Sequence, residues 1–252
     1  MTPDLLAVND LTDASLLAAL LVFIRVSGVV AFAPAFGEQT LPLRVQLGVA
    51  MALTAIVLPA IADAPMPDPS LSLVTTEALI GAIYGLFLRV GVIALQIAGS
   101  VAAQSLSLSH LVAGAGGEPL PAIGHALVLS ALTLLVISGL PLALVSYITV
   151  SYQEFPLGGS LTAEDWVERV IFATGNAIRY GAALAVPFVL VALIYNLVLG
   201  AINRTMPQLM VTLIGAPAIS LGALALLAIT APLIAGHWAA MMLQLLASGG
   251  AP

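Results

Sequence analysis

"LVTTEALIGAIYGLFLRVGVIALQIAGSVAAQ", residues 73–104, carries only two charges, Glu77 and Arg89. At about 1.5 Å of rise per helical residue, the run overreaches the ~30 Å hydrocarbon core of a bilayer. It lacks the period-2 alternation of a membrane barrel strand. In lipid, backbone polar groups must be satisfied within the segment, and that leaves a helix. Glu77, Gly81, Gly85 and Arg89 follow one another at steps of four and therefore share one slowly drifting helix face. Gly81 and Gly85 form a GxxxG pair that lets another helix approach closely. Charges at both ends of the strip predict a buried helix contact with ionic anchors, either inside this chain's own bundle or with a neighbouring subunit. Farther along, Gln96, Ser100 and Gln104 continue as a polar stripe. Exposed to lipid alone, such a stripe is costly, so an aqueous path or a neighbouring subunit is expected beside it.

The rest of the chain is of the same kind. Hydrophobic residues make up 61% and charged residues 7%, with a mean hydropathy of +1.16, against roughly 45–50% apolar and 25% charged in soluble domains. Apolar runs near 14–35, 45–62, 73–104, 124–150, 181–202 and 209–246 predict an all-α protein of about six long hydrophobic helices arranged as membrane-type hairpins. The third and sixth runs are too long for one straight span, which calls for tilt, a break at Pro217 or Pro232, or protein surroundings. A seventh, short amphipathic helix is expected from Ala163. Thr162 is its cap, Asp165 and Arg169 pair at i, i+4, and Trp166, Val170, Ala173 and Ala177 form its apolar stripe. The organisation expected is one subunit, with hairpins over 1–105, a loop over 106–121 rich in glycine and proline, and further hairpins over 122–252.

All six basic residues are arginine and the net charge is -6, so nucleic acid is not an expected partner. The chain has no cysteine, which removes disulfides and thiol chemistry. No Lys or Arg accompanies Asp4, Asp10 and Asp13, so the first hydrophobic segment is expected to be retained rather than cleaved. With the N-terminus outside, Arg44 and Arg204 fall in cytoplasmic loops, as the positive-inside rule prefers. Arg25 sits midway through the first run. A central arginine costs about 2.5–3.5 kcal/mol on insertion scales, which the surrounding Leu, Ile, Val and Phe outweigh. It still needs a partner, and Glu77 is the nearest in kind.

Catalytic constellations are absent. His110, His125 and His237 are far apart with no HExxH and no acidic ligand close by, so neither a metal nor a cofactor is expected. An intramembrane serine protease would need G-x-S-G, and "RVSG" (25–28) and "VISG" (136–139) both lack the first glycine. A small-solute transporter would want broken helices in matching halves, whereas Pro187 and Pro217 both fall in the C-terminal half.

The stretch "LGAINRTMPQLMVTLIGAPAISLGALALL" (199–227) resembles the signature of the FliR family, the T-type export-apparatus subunit of flagellar and virulence type III secretion systems. The residues that carry the likeness are Gly200, Arg204, Pro207, Gln208, Leu209, Gly215 and Pro217. "RVSGVVAFAPAFGEQTLPLRVQLGVAMALT" resembles the family's first hairpin, "TEALIGAIYG" its Glu-x3-Gly-x3-Gly helix, and "SGLPLALVSYITVSYQEFPLG" a further segment. The resemblance implies a pore-forming, non-enzymatic subunit of an export gate at the flagellar basal body in the bacterial inner membrane, with the corresponding subunit of a virulence type III secretion system as the alternative. Its partners would be the P and Q subunits (FliP and FliQ), the FlhB and FlhA components, and unfolded export substrates. A gate of this family is raised out of the bilayer plane, so hydropathic length would overstate the spans. Arg25, Glu77, Gly81, Gly85 and Arg89 would then face neighbouring subunits, and Arg204 would sit near the cytoplasmic entrance. The loop Ser109–Pro121 is expected as a plug. His110, Leu111, Val112, Gly114, Gly116 and Gly117 combine small apolar side chains with backbone freedom in the segment that matches the family's gate loop.

Overall fold

The computed structural model describes residues 3–38, 41–61, 65, 67–105, 122–159, 163–205 and 211–249. Among these residues the secondary structure is helical, with no strand. Helix α1 is Pro3–Phe32, α2 is Leu43–Val57 with a 3-10 turn Leu58–Ile61 after it, and α3 is Leu71–Ser105. Then follow α4 (Ala122–Ile137), α5 (Leu140–Glu154), α6 (Ala163–Thr205) and α7 (Val211–Ala247). Among the described residues, four segments are long and apolar enough to cross a membrane, Leu43–Ile61, Leu71–Ala102, Val170–Ile202 and Leu224–Ala247, or five if the bent pair Gly124–Ile137 and Leu140–Glu154 is taken as one span.

Two boundaries differ from the hydropathy pattern, the turn at Gly139 and the continuation of the amphipathic helix. The run at 124–150 is two helices, because Gly139 adopts φ +106 at the turn and Pro141 occupies the first turn of α5. A proline there lacks only an N–H that has no helical partner anyway. The amphipathic helix does start at Ala163, but it does not stop. It continues into the fifth run as one helix of 43 residues with Pro187 inside it. Of its expected stripe, Trp166 and Ala177 are buried while Val170 is exposed. Helix α7 passes through positions 217 and 232 without a break. Thr162 lies outside the described residues.

The chain forms two compact units. One comprises Met1–Arg89, Gly139–Ala173 and Met242–Pro252, and the other Val90–Ser138 and Thr174–Met241. In the first, α1 and α3 touch backbone to backbone. A Cβ on Gly28 would lie 2.8 Å from the Ala82 nitrogen, and one on Gly85 would lie 2.9 Å from the carbonyl oxygens of Gly28 and Val29. A Cβ on Gly81 would strike the Arg25 carbonyl. The glycine strip read from the sequence is therefore filled from within the chain, by α1. Val22, Val26, Val29, Ile80, Leu88 and Ile148 surround it as core.

In the second unit the same device recurs. Gly99 of α3 meets Gly124 of α4, each where the other's side chain would have been. Gly181 of α6 lies against Ala94 and Ile97 of α3, and its face continues as buried Ala185, Phe188 and Ala192. Trp238 is 1% exposed, and its Nε1–H donates to the Gly91 carbonyl at 2.8 Å.

Two glycines make the packing testable. Gly81→Ala drives a methyl into backbone that cannot yield, and is expected to cost about 1–3 kcal/mol. Gly48→Ala, on an α2 face with nothing within 4 Å, is expected to be neutral or to stabilise by up to ~1 kcal/mol through helix propensity. Thermal unfolding in mild detergent ranks the two, and equal effects would refute the close α1–α3 crossing.

Candidate functional site

The chemistry of the first unit centres on Arg25. Its side chain and that of Glu77 are both 0% exposed, and Nε donates to Oε2 at 2.6 Å. The position follows from α1 and α3 crossing at glycines, which brings residues one turn away within reach of each other. Arg25 also serves the end of a third helix. Nη1 donates to the carbonyl oxygens of Ser151 at 3.2 Å and Phe155 at 2.9 Å, at the C-terminus of α5. A helix end leaves carbonyls without partners and a partial negative charge, so a guanidinium there satisfies both. The plane of charge stacks over the Tyr152 ring, with Cζ 3.8 Å from the centroid, which compensates an Nη2 that has no hydrogen-bond partner among the described residues.

Glu77 completes the arrangement from the other side. Its Oε1 accepts the Gly158 N–H at 3.3 Å. Gly158 has φ +78 and packs against Pro67, so no other residue fits the turn without strain. The pair thus ties α1, α3, the end of α5 and the turn before α6 into one knot.

Aromatic side chains extend the knot to α6. Trp166 stands 5.1 Å from Phe155, 5.7 Å from Tyr84 and 5.8 Å from Phe87, centroid to centroid. The Tyr84 hydroxyl donates to the Glu154 carboxylate, and the Tyr147 hydroxyl donates to the Tyr84 carbonyl at 3.0 Å. Arg89, at the other end of the glycine strip, pairs with Glu38 at 2.6 Å, but the side chains are 26% and 20% exposed. Partly open to solvent, this pair is screened more than the buried Arg25–Glu77 pair.

The remaining sequence-derived residues are scattered. Gly200 and Arg204 are exposed near the end of α6, and nothing lies within 4 Å of where a Gly200 Cβ would be. Gly215 and Pro217 fall within α7. Pro207, Gln208 and Leu209 lie outside the described residues, as do His110, Leu111, Val112, Gly114, Gly116 and Gly117. Gln96 and Ser100 are half-buried on α3, with Ser100 Oγ bonded to the Ile97 carbonyl at 2.9 Å. Among the described residues, no three histidines or carboxylates gather as a metal site would require.

The sequence did not reveal that Arg25 would hold α5, because main-chain carbonyls leave no mark in the pattern of side chains. The usable signal was "SYQEFPLG" (151–158), where a helix ends, then Pro156 and Gly158 follow at once.

Truncating one member of the buried pair leaves the other as an uncompensated charge. Arg25→Met or Glu77→Leu alone is expected to cost about 3–5 kcal/mol, and the double variant distinctly less than the sum. Unfolding midpoints of all four proteins give the coupling. Additivity within about 0.5 kcal/mol would show that the pair carries no interaction.

Comparison with known proteins bears on what this architecture serves. The family described as bacterial export proteins, family 1, matches residues 16–245. The chain is 28% identical to the flagellar biosynthetic protein FliR of Caulobacter vibrioides over 228 residues, covering 87% of this chain and 90% of that protein. It is 29% identical to FliR of Escherichia coli over 217 residues, 84% of this chain and 83% of the other. FliR of Aquifex aeolicus is 29% identical over 230 residues, 88% of each. A family match running through nearly every helix, from within α1 to the end of α7, means that this chain belongs to the bacterial export proteins of family 1.

Proposed function

We propose that this chain is a structural, non-enzymatic subunit of the flagellar type III export gate, forming part of the pore through which unfolded flagellar proteins cross the inner membrane at the basal body. Family membership supports an export role, and the names of the relatives favour the flagellar apparatus over a virulence one. The observation that carries the gate reading is the mismatch between helix length and bilayer. Val170–Ile202 is a continuous helical segment of 33 residues, apolar but for Arg179 and a few polar side chains, of which only 18% of the most apolar window is buried. It reaches about 50 Å at ~1.5 Å per residue, against a hydrocarbon core of ~30 Å. Lipid cannot cover all of it, so other protein chains must.

The partners in this reading are the P and Q subunits, FliP and FliQ, with FlhB and FlhA beside them. The loop Ser109–Pro121 acts as the plug, positioned after the α3 segment that carries Gln96, Ser100 and Gln104. Leu111 and Val112 close a narrow wet lumen by excluding water.

Purification of the chain from membranes in mild detergent tests the assignment. Two further small hydrophobic subunits are expected to come with it, and their absence would contradict the gate. Deletion of Leu111–Gly117 is expected to leave that assembly intact while making the membrane leak ions. A deleted gate as ion-tight as the parent would remove the plug from the mechanism.

A further inference from the structure

Arg179 of α6 stands in a setting that this chain elsewhere answers with a carboxylate. It is exposed, and it is the only charged residue between Arg169 and Arg204. Gly175, Arg179, Ala182, Val186 and Val189 follow one another at steps of four and three, and so share one helix face. All five are exposed, and nothing lies within 4 Å of where a Gly175 Cβ would be. By the helical period this face is opposite to the one through Gly181, Ala185, Phe188 and Ala192, which the unit covers.

The unit that holds Arg179 offers it no acid. Glu118 is the only Asp or Glu in the segments Val90–Ser138 and Thr174–Met241, and it lies outside the described residues. Among the described residues the ion pairs are Arg25–Glu77 and Arg89–Glu38, and Arg179 is in neither. Its surroundings on the helix are not those of a solvated face. Apart from Arg179 the stripe holds only glycine, alanine and valine, and Leu190 and Leu193 continue it as exposed apolar surface. Contiguous exposed apolar surface marks an interaction site, and a charge enclosed by such surface is stable only when it is paired.

We propose that this face of α6 receives an apolar helix of a different chain that carries one Asp or Glu, and that this carboxylate pairs with Arg179. The first unit contains a worked instance of the same contact. There Arg25 of α1 meets Glu77 of α3 where Gly28 and Gly81 bring the two backbones together. On α6, Gly175 stands one turn before Arg179 and Ala182 one turn after it, so a facing helix can come equally close. At that separation the planar guanidinium can take a carboxylate with two parallel hydrogen bonds, which a lysine cannot do. The partner is thereby defined by its chemistry: an apolar helix with a single carboxylate beside small residues, as in "EALIG" (77–81) of this chain. The inference goes beyond the export-gate reading, because it holds for whichever protein supplies that helix.

Photo-crosslinking of the full chain in the bacterium that makes it tests the contact. p-Benzoylphenylalanine is placed at Ala182 or Val186, the cells are irradiated, and the crosslinked peptide is sequenced by mass spectrometry. An adduct with another protein is expected, through an apolar segment that contains one Asp or Glu. Arg179→Glu is expected to lower the adduct yield more than about tenfold, because like charges then meet in an apolar contact. Arg179→Lys is expected to keep part of it, since the charge remains while the fork is lost. Replacing the partner's carboxylate by arginine in the Arg179→Glu background is expected to restore the yield.

Adducts with lipid, with a second copy of this chain or with its own segment around Glu118 overturn the proposal, as does the absence of any adduct at both positions. A protein adduct whose yield ignores Arg179→Glu, or is not restored by the reversed pair, overturns it as well. Failure of the gate reading is distinguishable. A restored charge pair with a protein other than the two small hydrophobic subunits would leave this contact standing and contradict the gate, whereas co-purification of those subunits with no charge dependence would do the reverse.

Discussion

One fully buried guanidinium sets the terms for the first unit. Arg25 has no exposed surface, so its charge must be answered entirely by the protein. Desolvation of such an ion costs several kcal/mol, which attraction to a single carboxylate recovers only with good geometry and further hydrogen bonds. Here Glu77 supplies the charge, Ser151 and Phe155 supply carbonyls, and Tyr152 supplies a ring face. Each comes from an element that must be in place before the arginine is satisfied. The pair is therefore weak as a source of net stability and strong as a selector of one arrangement of α1, α3 and α5. The close glycine crossing is its precondition, because the arginine and glutamate lie within one turn of Gly28 and Gly81.

Helix α6 begins in the first unit and continues into the second. Trp166 fixes the start of a helix of 43 residues, and among the described residues no buried ion pair like Arg25–Glu77 recurs along it. The second unit packs instead through small residues, Gly99 on Gly124 and Gly181 on Ala94, and through one indole hydrogen bond to Gly91. Without water to drive apolar surfaces together in lipid, close backbone packing and hydrogen bonds are the forces that remain for joining helices. The division of labour is physical: a polar knot gives the first unit a unique arrangement, while α6 keeps wide apolar faces exposed.

Much of this was legible in the residues. The spacing of Glu77, Gly81, Gly85 and Arg89 announced a helix contact, and the isolation of Arg25 in an apolar run announced a buried partner. Hydropathy located the helices because the pattern of apolar residues reports burial directly. It failed at Ser138–Gly139 because a two-residue turn among apolar neighbours leaves the average unchanged, while the glycine at positive φ and Pro141 after it were the local signal. It failed to join the amphipathic helix to the fifth run because Arg179 interrupts the apolar pattern without interrupting the helix. The roles of Ser151 and Phe155 were not legible, since backbone carbonyls are present at every position and only the fold selects which ones are used.

Hydrogen exchange of the chain, alone in detergent and within its complete membrane assembly, tests most directly the central claim that a self-sufficient polar knot carries helices which only an assembly can cover. Slow exchange is predicted in both states for the backbone amides around Arg25, Gly81 and Ser151, because their protection comes from contacts inside the chain. Protection of Val170–Ile178 is predicted to rise only in the assembly. Fast exchange around Arg25 in the isolated chain, or unchanged protection of Val170–Ile178 on assembly, would contradict it.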